Sequence, residues 1–323
     1  SRFPDFFVSE TIMKFHERFG ENSRRRKRRK RTGERTDMIN VIYCCNDKLF
    51  EGVFLSATSV ARRSGAPVSI SVFTMDGRSE DLSYVPFSKD HASIINAAIK
   101  TFDERNEAAV YDLTEQFGKA FGGGKNLKNE FTPYALLRLL ADDEKVAPFD
   151  KAIYLDADTM ACGDIEELWN TDVSDYEYAA ALDRLGKFWV ARNYCNSGVL
   201  LLNLKKIRET GMFVKCRKLI KTKRFFMPDQ TAIHRSATAR LYLDTRFNEQ
   251  RSVKPDTVIK HFNRGIKWLP FPHFFNVKQW DRKAVRDKLK IRVFDEDYAF
   301  YDDFIKTEQH GADADEKEKS NIL

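Results

Sequence analysis

Asp156 and Asp158 stand one residue apart at the end of a short apolar run, Lys151-Ala152-Ile153-Tyr154-Leu155. Two carboxylates that close repel each other unless something positive sits between them, and a hard divalent cation with oxygen ligands answers that need. Mg2+ and Mn2+ bound in this way keep coordination positions open for the phosphate oxygens of a substrate. The run itself, bounded upstream by Pro148 and Asp150, reads as a buried strand of a parallel sheet. Side chains alternate along a strand, so positions 156 and 158 can project to one side where it runs out. The expectation is a metal–diphosphate site at the carboxyl end of a central strand, where open α/β sheets bind their ligands. The competing reading is a pair of solvated turn aspartates, since Asp-x-Asp also arises by chance.

A strand that delivers such a site needs neighbours, and the chain supplies them in alternation. A strand over 39–45 ends at Asn46-Asp47, and a helix over 50–63 is stopped by Gly65 and Pro67. A second strand covers 68–75. A helix over about 89–104, a short strand near 108–111 and another helix bring the chain to Gly122-Gly123-Gly124. That triplet lacks the Gly-x-Gly-x-x-Gly spacing and follows a helix, so it reads as a flexible loop and not a phosphate cradle. Residues 131–141 read as a helix leading to the acidic strand. Beyond it come a strand over 178–182 ending in Asp183, then Asn196-Ser197-Gly198 and the apolar run 199–204, buried on both faces. A basic helix spans about 205–222, and Pro228-Asp229-Gln230 opens another. A strand over 258–260 delivers His261-Phe262-Asn263-Arg264-Gly265-Ile266-Lys267-Trp268. Strands alternating with helices of ten to fifteen residues imply an α/β fold: a Rossmann-like, mostly parallel sheet with helices on both faces and right-handed crossovers.

The chain has 323 residues, 42% of them hydrophobic and 13% aromatic, enough for a substantial core. No apolar run reaches the length of a membrane span, and the start lacks a signal-peptide pattern. Five cysteines without Cys-x-x-Cys spacing point to free thiols in a reducing, cytoplasmic compartment, with Cys44 and Cys45 as small core filler. The net charge is +7, but residues 24–31 alone carry eight positive charges, leaving the rest near −1. This is a near-neutral globule with a basic arm. Residues 1–37 read as an appendage, with Phe3, Phe6, Phe7, Ile12, Met13, Phe15 and Phe19 at roughly helical spacing before the basic tract. An apolar helix plus a polybasic run suits peripheral contact with an anionic membrane surface. A nucleic-acid arm is the rival, although no aromatics interleave the basic run and no nucleic-acid fold signature follows it. A solvated tail is the third reading. Residues 276–323 read as a charged helix, a Phe/Tyr/Asp-rich stretch and a disordered polar tail from about 311.

The pieces above, taken in order over residues 38–275, resemble the family 8 glycosyltransferases. They are the opening strand with Asn46-Asp47, Tyr154-Leu155-Asp156-Ala157-Asp158, Asn196-Ser197-Gly198-Val199-Leu200-Leu201-Leu202-Asn203-Leu204, Asp229-Gln230, and His261-Phe262 with Lys267. The resemblance implies a GT-A fold, Mn2+ (with Mg2+ as the alternative), a UDP-sugar donor, and transfer that retains the anomeric configuration. It makes His261 the third metal ligand beside Asp156 and Asp158; from the residues alone, His261 reads equally as a core histidine at a strand end. It assigns Lys267 to the diphosphate, Asn46 and Asp47 to the nucleoside, and Arg138 to donor sugar or phosphates. It sets Ala157, Ser197 and Gly265 against the donor, and Asn196, Asp229 and Gln230 around the transferred sugar, with Asp183 beside the sugar or acceptor. Two departures stand out: glycine falls one position late in His261-Phe262-Asn263-Arg264-Gly265, and Arg138 aligns only with a one-residue adjustment before Tyr154.

Gln230, a poor nucleophile, occupies the position beside the anomeric carbon, so the implied chemistry is a same-face displacement. Asp183 and Asp229 keep a covalent route open. The acceptor class implied is a cell-envelope glycan or glycolipid. Two rivals remain. Asp156-Ala157-Asp158-Thr159 also fits a haloacid-dehalogenase-type phosphohydrolase, though there the first aspartate sits on the opening strand. A non-catalytic protein binding surfaces or nucleic acid through its basic arm is the other.

Overall fold

The computed structural model describes residues 38–77, 85–124, 126, 133–267, 271 and 273–320. The first half runs β1 (Ile39–Cys44), α1 (Phe50–Arg63), β2 (Val68–Thr74), α2 (Lys89–Lys100), β3 (Glu107–Asp112) and α3 (Thr114–Phe121). A 3-10 helix, Pro133–Leu140, leads to β4 (Lys151–Leu155), β5 (Thr159–Ala161), α4 (Glu166–Trp169), β6 (Tyr178–Ala181) and α5 (Gly186–Trp189). Then come β7 (Val199–Asn203), α6 (Leu204–Thr210), α7 (Met212–Thr222), α8 (Pro228–Ser236) and β8 (Arg240–Leu243). The chain closes with β9 (Ile259–His261), β10 (Gly265–Lys267), β11 (His273–Phe275), α9 (Arg282–Asp287) and α10 (Asp295–Ser320).

Seven strands make one sheet in the order β3-β2-β1-β4-β7-β6-β8. Four of its pairings are parallel, while β7 runs antiparallel to both β4 and β6. The chain leaves β1 toward β2 on one side and reaches β4 on the other, so the strand order reverses between β1 and β4. A crevice opens there, at the carboxyl ends of both strands. The period-two alternation of β1 feeds two cores. Ile39, Val41 and Tyr43 pack with α1, α2 and the start of α10. Ile42 and Cys44 turn to the other face, against the 3-10 helix and α7. Helices thus cover both faces, and Cys44 and Cys45 are buried free thiols.

Several elements depart from expectation for local reasons. The helix expected over 131–141 is present over 133–140 and is of the 3-10 type. The basic helix expected over 205–222 is two helices, because Gly211 adopts a left-handed conformation (φ 63°) that ends α6 and starts α7. The backbone of α10 stays helical to Ser320 where a disordered tail is expected, its Ala, Glu and Lys content being favourable to a helix. Residues 1–37, the expected appendage, lie outside the described residues. Among the described residues no helix is long and apolar enough to cross a membrane.

α10 is bound to the sheet through α1. Arg63, in the last turn of α1, makes two hydrogen bonds of 2.7 and 2.9 Å to the buried Asp297 carboxylate. The Phe54 ring meets Tyr301 edge-on at 5.0 Å and Phe304 at 5.9 Å. Phe54 is fully buried, so Phe54→Ala should cost about 3–5 kcal/mol of stability in urea unfolding. A loss below about 1 kcal/mol, the range of ordinary surface changes, would mean that α10 does not pack there.

Candidate active site

β4 ends at Leu155, and the chain turns through Asp156-Ala157-Asp158 before β5 begins at Thr159. The turn is fixed on both sides. Asp156 donates its amide to the Gly198 carbonyl (2.8 Å), prolonging the β4–β7 ladder past the strand. On the other side β5 pairs antiparallel with β9 in a register that sets Thr159 opposite His261. The Phe262 amide then donates to the Asp158 carbonyl at 2.8 Å. A histidine far along the sequence is thereby delivered to the acidic turn by backbone pairing.

Ligand atoms of Asp156, Asp158 and His261 all lie within 4.8 Å of one another. His261 Nε2 is 3.1 Å from Asp158 Oδ1 and 3.7 Å from Asp156 Oδ2. Its Nδ1 donates to Asn248 Oδ1 at 3.1 Å, which turns Nε2 toward the carboxylates, the ring orientation a metal-ligating imidazole requires. A second observation supports the fit. A side chain at Gly198 would place its Cβ 2.2 Å from the His261 ring and 2.8 Å from Asp156 Oδ2, so only glycine leaves this space open. Two carboxylates and one imidazole suit a first-row divalent cation, with positions left for phosphate oxygens.

The carboxylates are also tied from behind. Asp156 Oδ1 accepts from Tyr154 Oη (2.6 Å) and Arg138 Nη2 (3.0 Å). Asp158 Oδ2 accepts from Lys278 Nζ, which donates also to the Phe262 carbonyl at 3.1 Å. Burial alone would raise the Asp158 pKa; Lys278 and His261 outweigh it and hold the carboxyl well below its usual range. Arg138 is 2% exposed and lies over the Tyr154 ring at 3.8 Å. It donates to the Ser197 and Ala135 carbonyls and stands 3.4 Å from Asp229. Burial would lower its pKa, but Tyr154, Asp229 and Asp156 reverse the shift and keep it charged.

A buried hydrogen-bond chain joins the remaining expected residues. Asn248 donates to Asn196 Oδ1 (2.9 Å), and Asn196 donates to Asp183 Oδ2 (2.8 Å). Gln230 Nε2 also donates to Asp183 Oδ2 (3.3 Å), while its Oε1 accepts from the Ser197 amide (3.1 Å). Ser197 Oγ donates to Asp229 Oδ2 at 3.0 Å. Asp229 and Gln230 stand in the first turn of α8 behind Pro228, where proline is well placed and a carboxylate suits the helix dipole. Asp183 Oδ1 accepts the amides of Leu185 and Gly186 at the start of α5.

Asn46 and Asp47 lie just past the carboxyl end of β1. Asn46 is buried and caps a short 3-10 turn; Asp47 accepts from the Ser88 amide (2.9 Å) and His91 Nδ1 (2.6 Å). The Ala157 carbonyl accepts from buried Gln279. Gly265 opens β10 with its Cα against the Phe275 ring. Lys267 ends β10, its side chain outside the described residues. Expected to reach the donor, Arg138 is instead placed beneath Asp156 with its donors engaged by protein. Sequence reasoning missed Asn248, Lys278 and the hydroxyl of Tyr154. Asn248 and Lys278 sit in irregular segments with no periodic or motif signal; Tyr154 could have been found, since a tyrosine two residues before Asp156 shares its side of the strand.

The same architecture is found in solved transferases. An active-site mutant of LgtC superposes with a TM-score of 0.58 at 17% identity, over 82% of this chain and 96% of that one. The galactosyltransferase LgtC in complex with donor and acceptor sugar analogues gives a TM-score of 0.56 at 18% identity. GlyE of Streptococcus pneumoniae gives 0.55 at 17%, over 83% of this chain and 64% of that one. A Haemophilus influenzae protein assigned to the glycosyltransferases is 35% identical over 95 residues, 25% of this chain and 27% of that protein. Glycosyltransferase GlyA of Streptococcus pneumoniae is 41% identical over 54 residues, 8% of its length. The matched segments thus span about a quarter or less of these curated relatives. Fold and site together define a glycosyltransferase with the GT-A fold. More narrowly, the chain belongs to glycosyl transferase family 8, whose family model matches residues 40–284.

Replacing Gly198 tests the site directly. Gly198→Ala should weaken divalent-cation binding by about 10–100-fold while far-UV circular dichroism stays that of the wild type. Unchanged cation affinity in titration calorimetry would show that the three side chains do not share an ion.

Proposed function

We propose that this protein is a Mn2+-dependent, retaining hexosyltransferase that moves galactose or glucose from a UDP-sugar to a cell-envelope glycan or glycolipid. The observation that carries this reading is the Asp156–Asp158–His261 group at the sheet's switch point in a family 8 chain. The imidazole favours Mn2+ over Mg2+ in the donor set. A bound divalent cation supplies Lewis-acid neutralisation of the charge that develops on the departing diphosphate.

The chain's own residues do the rest. Asn46 and Asp47 face the nucleoside from the end of β1, and Lys267 contacts the diphosphate as a point charge. Ala157, Ser197 and Gly265 line the donor with backbone. Arg138 acts through Asp156, holding the ligand carboxylate in place. Asn196, Asp229 and Gln230 surround the transferred sugar, with Gln230 beside the anomeric carbon. Neither nearby carboxylate is free to attack. Asp183 accepts four hydrogen bonds, and Asp229 is engaged by Ser197 and Arg138. This favours a same-face displacement: the bond from the anomeric carbon to the phosphate oxygen breaks as the acceptor oxygen bonds to that carbon. The departing phosphate takes the acceptor's hydroxyl proton. Residues 38–275 form the catalytic unit, and residues 1–37 bring it to the inner face of an anionic membrane from the cytoplasm. The family resemblance supports galactose or glucose; one hydroxyl's orientation separates them.

Donor hydrolysis with a panel of UDP-sugars tests the reading. UDP release from one sugar should require Mn2+, stop with a chelator, and fall about 10²-fold or more in Asp158→Asn. Folded, metal-supplied protein that neither binds nor hydrolyses any nucleotide sugar would overturn it. A glycosyl adduct on Asp183 or Asp229 in intact-mass spectra would replace the same-face route by a covalent one.

A further inference from the structure

Lys278 sits in the irregular segment Asn276-Val277-Lys278-Gln279-Trp280, between β11 and α9. Its neighbours fix it in place. Val277 packs in a core cluster with Phe262, Val285 and Phe294, and Gln279 is fully buried, donating to the Gly52 carbonyl and receiving Tyr298 Oη on its own carbonyl at 2.8 Å. The Trp280 ring lies so close to Gly52 that a Cβ there would meet it at 2.8 Å. A backbone pinned on both sides aims the Lys278 side chain at the acidic turn. Its ammonium donates to Asp158 Oδ2 and to the Phe262 carbonyl, and the side chain is 24% exposed.

The consequence lies in the charges. Asp156 is paired with Arg138, and Asp158 with Lys278. Each carboxylate of the cation-binding group therefore already has a protein counterion. The two counterions differ. Arg138 lies beneath the site, 2% exposed, engaged by two carbonyls and the Tyr154 ring, so it cannot leave. Lys278 reaches in from a partly open side on a flexible stem and holds one oxygen, while Oδ1 of the same carboxylate faces His261.

We propose that Lys278 is a built-in counterion of Asp158 that competes with the divalent cation for it. The cation then binds weakly to the free protein and firmly only together with a nucleoside diphosphate, whose negative charge draws the lysine off. This rests on the metal and UDP-sugar reading above and adds to it a coupling between the two ligands. By linkage the coupling is reciprocal: UDP tightens the cation by the factor by which the cation tightens UDP, expected within the usual range of about 5–150-fold.

The test is Mn2+ binding, read from the electron paramagnetic resonance signal of free Mn2+, on wild type, Lys278→Met and Lys278→Arg, each with and without UDP. Methionine keeps the stem's volume and removes the charge. Lys278→Met should bind Mn2+ without nucleotide about tenfold more tightly than wild type and lose most of the tightening that UDP gives. Lys278→Arg, which keeps a competing cation, should stay near wild type. Equal or weaker binding by Lys278→Met would overturn the proposal, as the lysine would then be indifferent to the ion or would organise Asp158 for it. Should Lys278→Met not fold, wild type decides: Mn2+ affinity unchanged by UDP also overturns it. No Mn2+ binding by any of the three, with or without UDP, would remove the metal reading itself, a different failure.

Discussion

One buried guanidinium is the constraint on which the site's geometry depends. Arg138 lies between Asp156 and Asp229, 3.0 Å from one and 3.4 Å from the other, with the Tyr154 ring against its face. A charge this deeply buried is tolerated only where partners and hydrogen bonds satisfy it, and here the Ser197 and Ala135 carbonyls complete the set. Removing the guanidinium would leave two carboxylates, Asp156 and Asp229, uncompensated at once. The 3-10 helix that carries Arg138 is therefore part of the site, although it touches no part of the open crevice through that side chain.

Backbone pairing supplies the second constraint. The acidic turn belongs to β4, the glycine that makes room for it to the entry of β7, and the histidine to β9. These three pieces come from distant parts of the sequence, and each is fixed by a ladder to the turn. From His261 a run of side-chain hydrogen bonds continues through Asn248, Asn196 and Asp183 to Gln230 and Ser197. Arg138 closes the circuit through Asp229 and Asp156. A network with every member bonded holds its side chains in single orientations, which a half-satisfied one does not. Preorganisation of this kind is what electrostatic catalysis requires, because the donors and charges are in place before the reaction needs them.

How much of this was legible depends on whether the signal was local. The acidic strand and the alternation of strands and helices that builds the sheet could be read because each rests on short runs of consecutive residues, whereas His261 joined Asp156 and Asp158 only through the family resemblance. The break at Gly211 was misread, since a basic, well-spaced stretch of eighteen or so residues looks like one helix and the glycine's left-handed turn adds no polarity change. β8 and the β10–β11 pair were not anticipated, being three or four residues long with little alternation. Asn248 and Lys278 were invisible for another reason. Their roles come from where irregular backbone happens to place one amide and one ammonium, and nothing in residue type or spacing encodes that. Arg138 was found by position in a family pattern, but its depth beneath the sheet could only come from packing.

The division between Arg138 and Lys278 also explains why one acidic turn can be both stable and usable. Two ligand carboxylates without counterions would repel each other in the folded chain whenever no cation is present. Two immovable counterions would oppose the entry of any cation at all. The structure has one of each: Asp156 is held by a guanidinium that is locked in the core, and Asp158 by an ammonium at the edge of the crevice. Asp156 is then the carboxylate whose position is constant, oriented additionally by Tyr154 Oη. On the proposed reading Asp158 is the carboxylate whose partner changes, and its Oδ1 faces His261, the residue anchored by the β5–β9 ladder. The fixed half of the site is thus built from the central sheet and the 3-10 helix, and the adjustable half from the segments that follow β9.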